Sequence, residues 1–295
     1  MTRASFGVSP AYFFSRFTTD FTVEEIASAL PDVRMLGFKG FQLEIYHPDR
    51  IREWKEKGSL LAKAAQKEGL IPTQFVAHFL IHGFNSETSL FSEFGKNEIR
   101  EVMDILKVFP QCRLLTVPIP TFQVEPFRTY SGDDYRKLHQ AFLQKLDYML
   151  KIVTSEGIRM ALEIVPASLV GGIAGFLQIC SELKSNILGY NFDTGHAYRS
   201  KELLALIPAQ LNGRIYGTHL KDTFGGENSA FTPGSGTISW PDLVRNLQGA
   251  GYTGSWDLEI VCPAEKVEEE YKRGLSFLQE ILAGVEGPSV SSALC

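Results

Sequence analysis

The chain has 295 residues, of which 44% are hydrophobic, 21% charged and 12% aromatic, and it carries a formal net charge of -5. That is enough apolar material for one large domain or two ordinary ones, and the negative balance removes the electrostatic case for nucleic acid or an anionic membrane as partner. No stretch approaches the ~18 apolar residues a membrane span needs, and Pro10 with neighbouring polar residues interrupts the N-terminus where a signal peptide would be apolar, so a cytoplasmic protein is expected.

Short β-rich runs alternate with amphipathic stretches along the chain. Strands are predicted at residues 4–9, 40–45, 71–79, 114–117, 159–165, 188–193, 215–220 and 255–260. Several are continuous runs of Val, Ile, Leu and Phe, the pattern of parallel strands buried on both faces. Helices are predicted at 49–68, 96–108, 133–156, 172–183, 201–207 and 266–282. Two further helix starts are marked by a capping box from Thr22 to Glu25 and by Ser239-Trp240-Pro241-Asp242. Gly69, Gly157 and Gly251 stand where three helices should stop.

Eight such units without a linker predict a single (β/α)8 TIM barrel over residues 1–285, followed by a frayed tail at 286–295. A doubly wound sheet is the alternative, because strand order is not written in the pattern. Residues 81–97 are long for a βα connection and read as a candidate lid over the strand ends. Cys112, Cys180, Cys262 and Cys295 form no CxxC pair, so free thiols in a reducing compartment are expected.

Four of the later runs end on a polar group: Glu163 after Ala161-Leu162, Asp193 after Asn191-Phe192, His219 after Gly217-Thr218, and Glu259 after Leu258. A lone carboxylate among apolar neighbours costs several kcal/mol or takes up a proton. Placed at the C-terminal ends of strands five to eight of a barrel, the four converge on the catalytic face. A set of oxygen and imidazole ligands without thiolate suits one divalent cation, Mn²⁺ first among Mn²⁺, Co²⁺, Mg²⁺ and Zn²⁺. Glu44, His47, His78 and His82 stand at earlier strand ends, with His47 and His82 divided evenly between site and surface. Tyr46 is read as a wall of the site and Trp54 as core.

Asn191-Phe192-Asp193-Thr194-Gly195-His196, Thr218-His219-Leu220-Lys221-Asp222, Pro233-Gly234-Ser235-Gly236-Thr237-Ile238 and Leu258-Glu259-Ile260 resemble the sugar phosphate isomerase/epimerase superfamily, the xylose isomerase-like TIM barrels. The resemblance spans roughly residues 4–282. The group includes ketose 3-epimerases, hydroxypyruvate isomerase, inosose dehydratase and isomerase, and endonuclease IV. It implies that Glu163, Asp193, His219 and Glu259 bind the metal, and that Glu163 and Glu259 also move protons through a cis-enediolate. It further implies substrate contacts from Glu44 and from His196, whose alternative is to orient Asp193 or cap the next helix. His78 at the end of the third strand and Lys221, two residues after His219, are read from position as facing the same substrate pocket, with pairing to Asp222 as the alternative for Lys221.

Departures narrow the choice. The histidine ligand disfavours aldose isomerisation of the xylose isomerase type. Asn228 and Ala230 replace the extra ligands of endonuclease IV. Leu169 and the segment Thr223-Phe224-Gly225-Gly226 lack the glutamate and arginine of the tagatose-type epimerases. The expectation is therefore a metal-dependent isomerase or epimerase of a small keto-sugar or keto-polyol, with a homodimer or homotetramer left open. The alternatives are a lyase eliminating water or an aglycone at the same site, and a non-catalytic sugar-binding barrel. Gly234-Ser235-Gly236 is left open between an anion site and a turn.

Overall fold

The computed structural model describes residues 4–226 and 229–285; the tail at 286–295, Cys295 and Asn228 lie outside them. Eight strands are present: β1 (Ser5–Val8), β2 (Gly40–Glu44), β3 (Ile71–Val76), β4 (Leu114–Ile119), β5 (Arg159–Ile164), β6 (Leu188–Asp193), β7 (Ile215–His219) and β8 (Ser255–Leu258). All pair in parallel and in sequential order, with β8 beside β1. The circle closes between β7 and β8 just past their ends. There the Leu220 N–H donates to Asp257 O at 2.8 Å and the Glu259 N–H to Leu220 O at 3.0 Å. Sequential order with closure makes this a (β/α)8 barrel and removes the doubly wound alternative.

The helices are α1 (Ala11–Phe17), α2 (Val23–Met35), α3 (Ile51–Glu68), α4 (Glu87–Phe91), α5 (Glu98–Leu106), α6 (Gly132–Ser155), α7 (Ile173–Glu182), α8 (Thr194–Arg199), α9 (Ile207–Leu211), α10 (Trp240–Gly249) and α11 (Val267–Val285). None among the described residues is long and apolar enough to cross a membrane. The capping box at Thr22 forms, and Gly69, Gly157 and Gly251 adopt the left-handed φ of 64°, 71° and 73° that ends each helix. Trp54 is buried against Phe75 and Phe109, as core. Cys112 and Cys180 are buried, Cys262 is half-buried, and none of the three is paired.

Two segments differ from expectation. In place of the helix predicted at 201–207, α8 ends before it at Arg199, and a 3-10 turn at Leu204–Leu206 leads into α9. The Asp193 carboxylate caps α8 from the strand end, Lys201 takes a φ of 64° that no helix continues through, and Pro208 sits in the first turn of α9. The third strand ends at Val76, and His78 opens a 3-10 turn, His78–Gly83, rather than closing the strand.

The connection at 81–97 holds α4 and is tied to the barrel by a buried lysine. Lys145 of α6 donates from Nζ to the carbonyls of Gly83 (3.2 Å), Ser89 (2.6 Å) and Phe94 (3.0 Å). Three loop carbonyls share one ammonium, which ties this connection to α6.

Candidate metal centre

Side chains of a strand alternate between faces, so residues two apart look the same way. Gln42 and Glu44, Asn191 and Asp193, Gly217 and His219, and Asp257 and Glu259 are such pairs on β2, β6, β7 and β8 or just past their ends. The first members form a buried polar layer inside the barrel together with Gln74 and Thr116. The second members form the layer above, at the mouth.

The lower layer holds the upper one in place. His219 Nε2 meets Gln42 Oε1 at 2.9 Å, and Gln42 Nε2 donates to Asp257 Oδ2 at 2.9 Å. Thr73 and Ser255 hydroxyls also donate to Asp257. Because Gln42 offers His219 an acceptor, the proton belongs on Nε2, and the Nδ1 lone pair turns to the mouth. A second relay runs from Thr116 through Gln74 to Asn191, whose Nδ2 donates to Glu163 Oε2 at 2.9 Å. Gly217 leaves room for it: a Cβ there would lie 2.6 Å from both Asn191 Oδ1 and Gln74 Oε1. These polar partners escape the sequence reading, although Asn191 and Asp257, two places before Asp193 and Glu259, are their trace.

At the mouth, Glu163, Asp193 and His219 are buried and offer ligand atoms within 4.8 Å of one another. His219 Nδ1 lies 2.9 Å from Glu163 Oε2 and 2.9 Å from Glu259 Oε2. Yet Nδ1, Asp193 Oδ2 and Glu259 Oε2 are buried atoms without a hydrogen bond of acceptable geometry among the described residues. Buried ligand atoms that converge without well-formed hydrogen bonds fit a divalent cation, and the oxygen and imidazole set is that of Mn²⁺, Co²⁺, Mg²⁺ or Zn²⁺.

Glu259, beside His219, also pairs with Lys221, whose Nζ lies 2.8 Å from Asp193 Oδ2 and 3.0 Å from Glu259 Oε1. Burial disfavours that ammonium, but Asp193, Glu259 and Glu163 outweigh the penalty and raise its pKa above the usual lysine range. Burial likewise pushes Glu259 upward, and Lys221 and His219 overcome it, lowering the carboxyl to about 2. For Glu163, His219 and His196 overcome burial and hold the acid well below its ordinary value. His219 itself is driven up by Glu163 and Glu259 against burial. A proton and a metal compete for the same Nδ1, so metal affinity falls with acidity.

His196 stands over the other edge of the cluster, its Nε2 3.5 Å from both Glu163 Oε1 and Asp193 Oδ2. Its position follows from the cap: the His196 N–H donates to Asp193 Oδ1 at 2.8 Å, leaving Oδ2 to face the site. Glu44 and His78 line the far wall, 3.7 Å apart, with His78 stacked on Tyr46 at 4.1 Å between centroids. Burial raises the Glu44 carboxyl well above its ordinary value and lowers His78 to about 4, which favours neutral imidazole at His78. His47 borders Tyr46, whereas His82 is exposed and packs on Phe94. A hollow of about 540 Å³, lined by Ser5, Phe6, Gly37, Lys39 and Leu282, opens at the opposite end of the barrel. It lies at the N-terminal ends of the strands, far from the converging acids.

Residues 30–281 match the family model described as the xylose isomerase-like TIM barrel. No curated protein matches the sequence. Among solved structures, the chain is similar to 3-keto-D-glucoside 4-epimerase from E. coli in its apo form, with 16% identity and a TM-score of 0.73 over 94% of this chain and 100% of that one. It is also similar to L-ribulose 3-epimerase, with 16% identity and a TM-score of 0.72 over 98% of this chain and 100% of that one. A third likeness is to D-psicose 3-epimerase in the presence of D-fructose, with 14% identity and a TM-score of 0.71 over 95% of this chain and 100% of that one.

Proposed function

The chain belongs to the xylose isomerase-like TIM barrel family, and from that premise we propose that it is a cytoplasmic, divalent-metal-dependent isomerase or epimerase of a small keto-sugar or keto-polyol, with Mn²⁺ as the preferred ion. The observation that carries the reading is the pair of glutamates, Glu163 and Glu259, each 2.9 Å from the Nδ1 of one histidine and reaching it from different strands. Glu163, Asp193, His219 and Glu259 would hold the ion. When bound, such an ion polarises a ketone and acidifies the neighbouring C–H.

Glu163 and Glu259 then have two tasks. One takes the α-proton, and the other delivers a proton to the opposite face or to the adjacent carbon of the enediolate. Return to the opposite face epimerises, and return to the adjacent carbon isomerises. His196 and Lys221 flank the acids and bind substrate oxygens, while Glu44 and His78 hold hydroxyls at the far wall, beside Tyr46.

The test is exchange of the α-hydrogen of keto-sugars with D₂O, followed by NMR in the presence of Mn²⁺ and after chelation. Exchange should require the metal and should fall by about 10²–10⁴ in Glu163→Gln and in Glu259→Gln, the usual size of a general acid–base contribution. Full activity in either variant would refute the two-glutamate mechanism.

A second reading, elimination, is favoured by Glu44. A third carboxyl, its pKa raised by burial and set beside His78 on the far wall, is suited to protonating a departing β-hydroxyl or aglycone oxygen. Only elimination yields a deoxy or α,β-unsaturated ketone, which mass and ultraviolet absorbance reveal.

A further inference from the structure

Carboxylates bind a metal as anions, whereas imidazole binds as a neutral base. Glu163, Asp193 and Glu259 therefore bring three negative charges to the barrel mouth, and His219 brings none. Against a divalent ion that leaves one charge over, in a place where burial makes an unbalanced charge costly. One further charge is built into the same cluster. Lys221 is buried, and its Nζ lies 2.8 Å from Asp193 Oδ2 and 3.0 Å from Glu259 Oε1. With the ammonium included, the cluster carries two net negative charges. A divalent ion neutralises them, and a trivalent ion overshoots.

The ammonium is fixed in this position by the start of α8. The Lys221 N–H donates to Thr194 Oγ1 at 2.9 Å, and the Thr194 hydroxyl donates to Lys221 O at 2.6 Å. The stem of the lysine lies along Gly195, where a Cβ would come within 2.6 Å of Lys221 Cε and 3.0 Å of Cγ. Thr194 and Gly195 directly follow Asp193, so the strand end that supplies a ligand also seats the lysine.

The ammonium also leaves a ligand atom on each partner. On Glu259 it takes Oε1, and Oε2 lies 2.9 Å from His219 Nδ1. On Asp193, Oδ1 accepts the His196 N–H at 2.8 Å, and Oδ2 faces both the ammonium and the cluster of ligand atoms. Two of the three ammonium protons are engaged in this way, which leaves the third for a substrate oxygen.

We infer that Lys221 is the resident counter-charge of the metal centre: held beside Asp193 and Glu259, it matches the ligand set to an ion of charge two and selects against trivalent ions. This role acts through the ligands and makes Lys221 a residue that determines ion specificity. A lysine that only braced the two carboxylates would alter the affinity for every ion alike.

The inference rests on the metal reading of the site, and ion competition separates the two. The full chain, stripped with a chelator and kept in phosphate-free buffer, is titrated with Mn²⁺ while electron paramagnetic resonance reports the free ion. Lu³⁺, an ion of similar size and one charge more, is then added to displace the bound Mn²⁺. The wild type should bind Lu³⁺ no more tightly than Mn²⁺. In Lys221→Met the ratio of Lu³⁺ to Mn²⁺ affinity should rise about 10–100-fold, the order of a unit charge acting over several ångströms at an effective dielectric of about 20.

An unchanged ratio in a folded Lys221→Met protein overturns the inference and leaves the metal reading standing. So does a wild type that binds Lu³⁺ more than about tenfold more tightly than Mn²⁺, and this comparison decides if the variant does not fold. Binding of neither ion to the wild type overturns the metal reading and the inference with it.

Discussion

Replacing Gln42 by leucine tests whether the polar layer beneath the mouth sets the metal site. Gln42 is fully buried and bridges His219 Nε2 and Asp257 Oδ2, each at 2.9 Å. Leucine keeps most of the volume but removes the acceptor that places the proton on Nε2. His219 is then free to rotate or to change tautomer, and Nδ1 no longer faces Glu163 and Glu259 by default. Loss of a partner of this kind lowers metal affinity by about 10–100-fold, or about 1.4–2.8 kcal/mol. The metal-free protein should also lose about 2–4 kcal/mol of stability, because a buried ring N–H and a buried carboxylate each lose a partner. Mn²⁺ titration against a fluorescent chelator, with circular dichroism to verify the fold, measures the first effect, and urea unfolding the second. His219→Ala gives the lower bound on affinity. A folded Gln42→Leu protein that binds Mn²⁺ within about twofold of wild type would refute the relay, since a partner that orients a ligand should matter by more.

Lys221→Met removes the ammonium between Asp193 and Glu259; the metal-free protein should lose about 3–5 kcal/mol, as buried pairs do when one member is deleted. Saturating Mn²⁺ should restore most of that loss, and an unchanged melting curve without metal would contradict the arrangement. Lys145→Met should release residues 83–94 to protease, since three carbonyls lose their common donor. Its pH dependence has a defined sign. Burial pushes Lys145 down to about 8, with Lys96 adding to the effect and Glu93 and Glu98 opposing it. Between there and the ordinary lysine value near 10.4 the unfolded chain binds the extra proton, so wild-type stability rises with pH relative to Lys145→Met. Urea unfolding of both proteins across that window measures it, and a difference independent of pH would refute the shift.

Several features were legible because they follow from local chemistry. Alternation of apolar runs with amphipathic helices announced eight βα units, and the capping box at Thr22 formed as its spacing required. Glu163, Asp193 and His219 stood out because a charge at the end of an apolar strand needs a partner, and the fold brings these three together. Other elements were hidden because their cause is not local. The helix expected at 201–207 yielded to a cap offered by Asp193 from the preceding strand and to the backbone turn at Lys201. His78 left the strand at the point where the chain turns over the barrel mouth.

From the sequence alone came the strand periodicity, the placement of acids and histidines at strand ends, and hence a barrel with a metal-binding mouth. Only the tertiary structure decided which groups meet. Closure of β7 on β8 sets Lys221 between Asp193 and Glu259 and brings Glu259 within 2.9 Å of His219 Nδ1. The same closure stacks Gln42 under His219 from opposite sides of the ring and folds Gly234 and Trp240 around Asp222. These contacts join residues far apart along the chain, and their partners are chosen by strand order and register. A run of residues reports its own periodicity and hydration cost, but it carries no record of which strand will face it across a closed barrel.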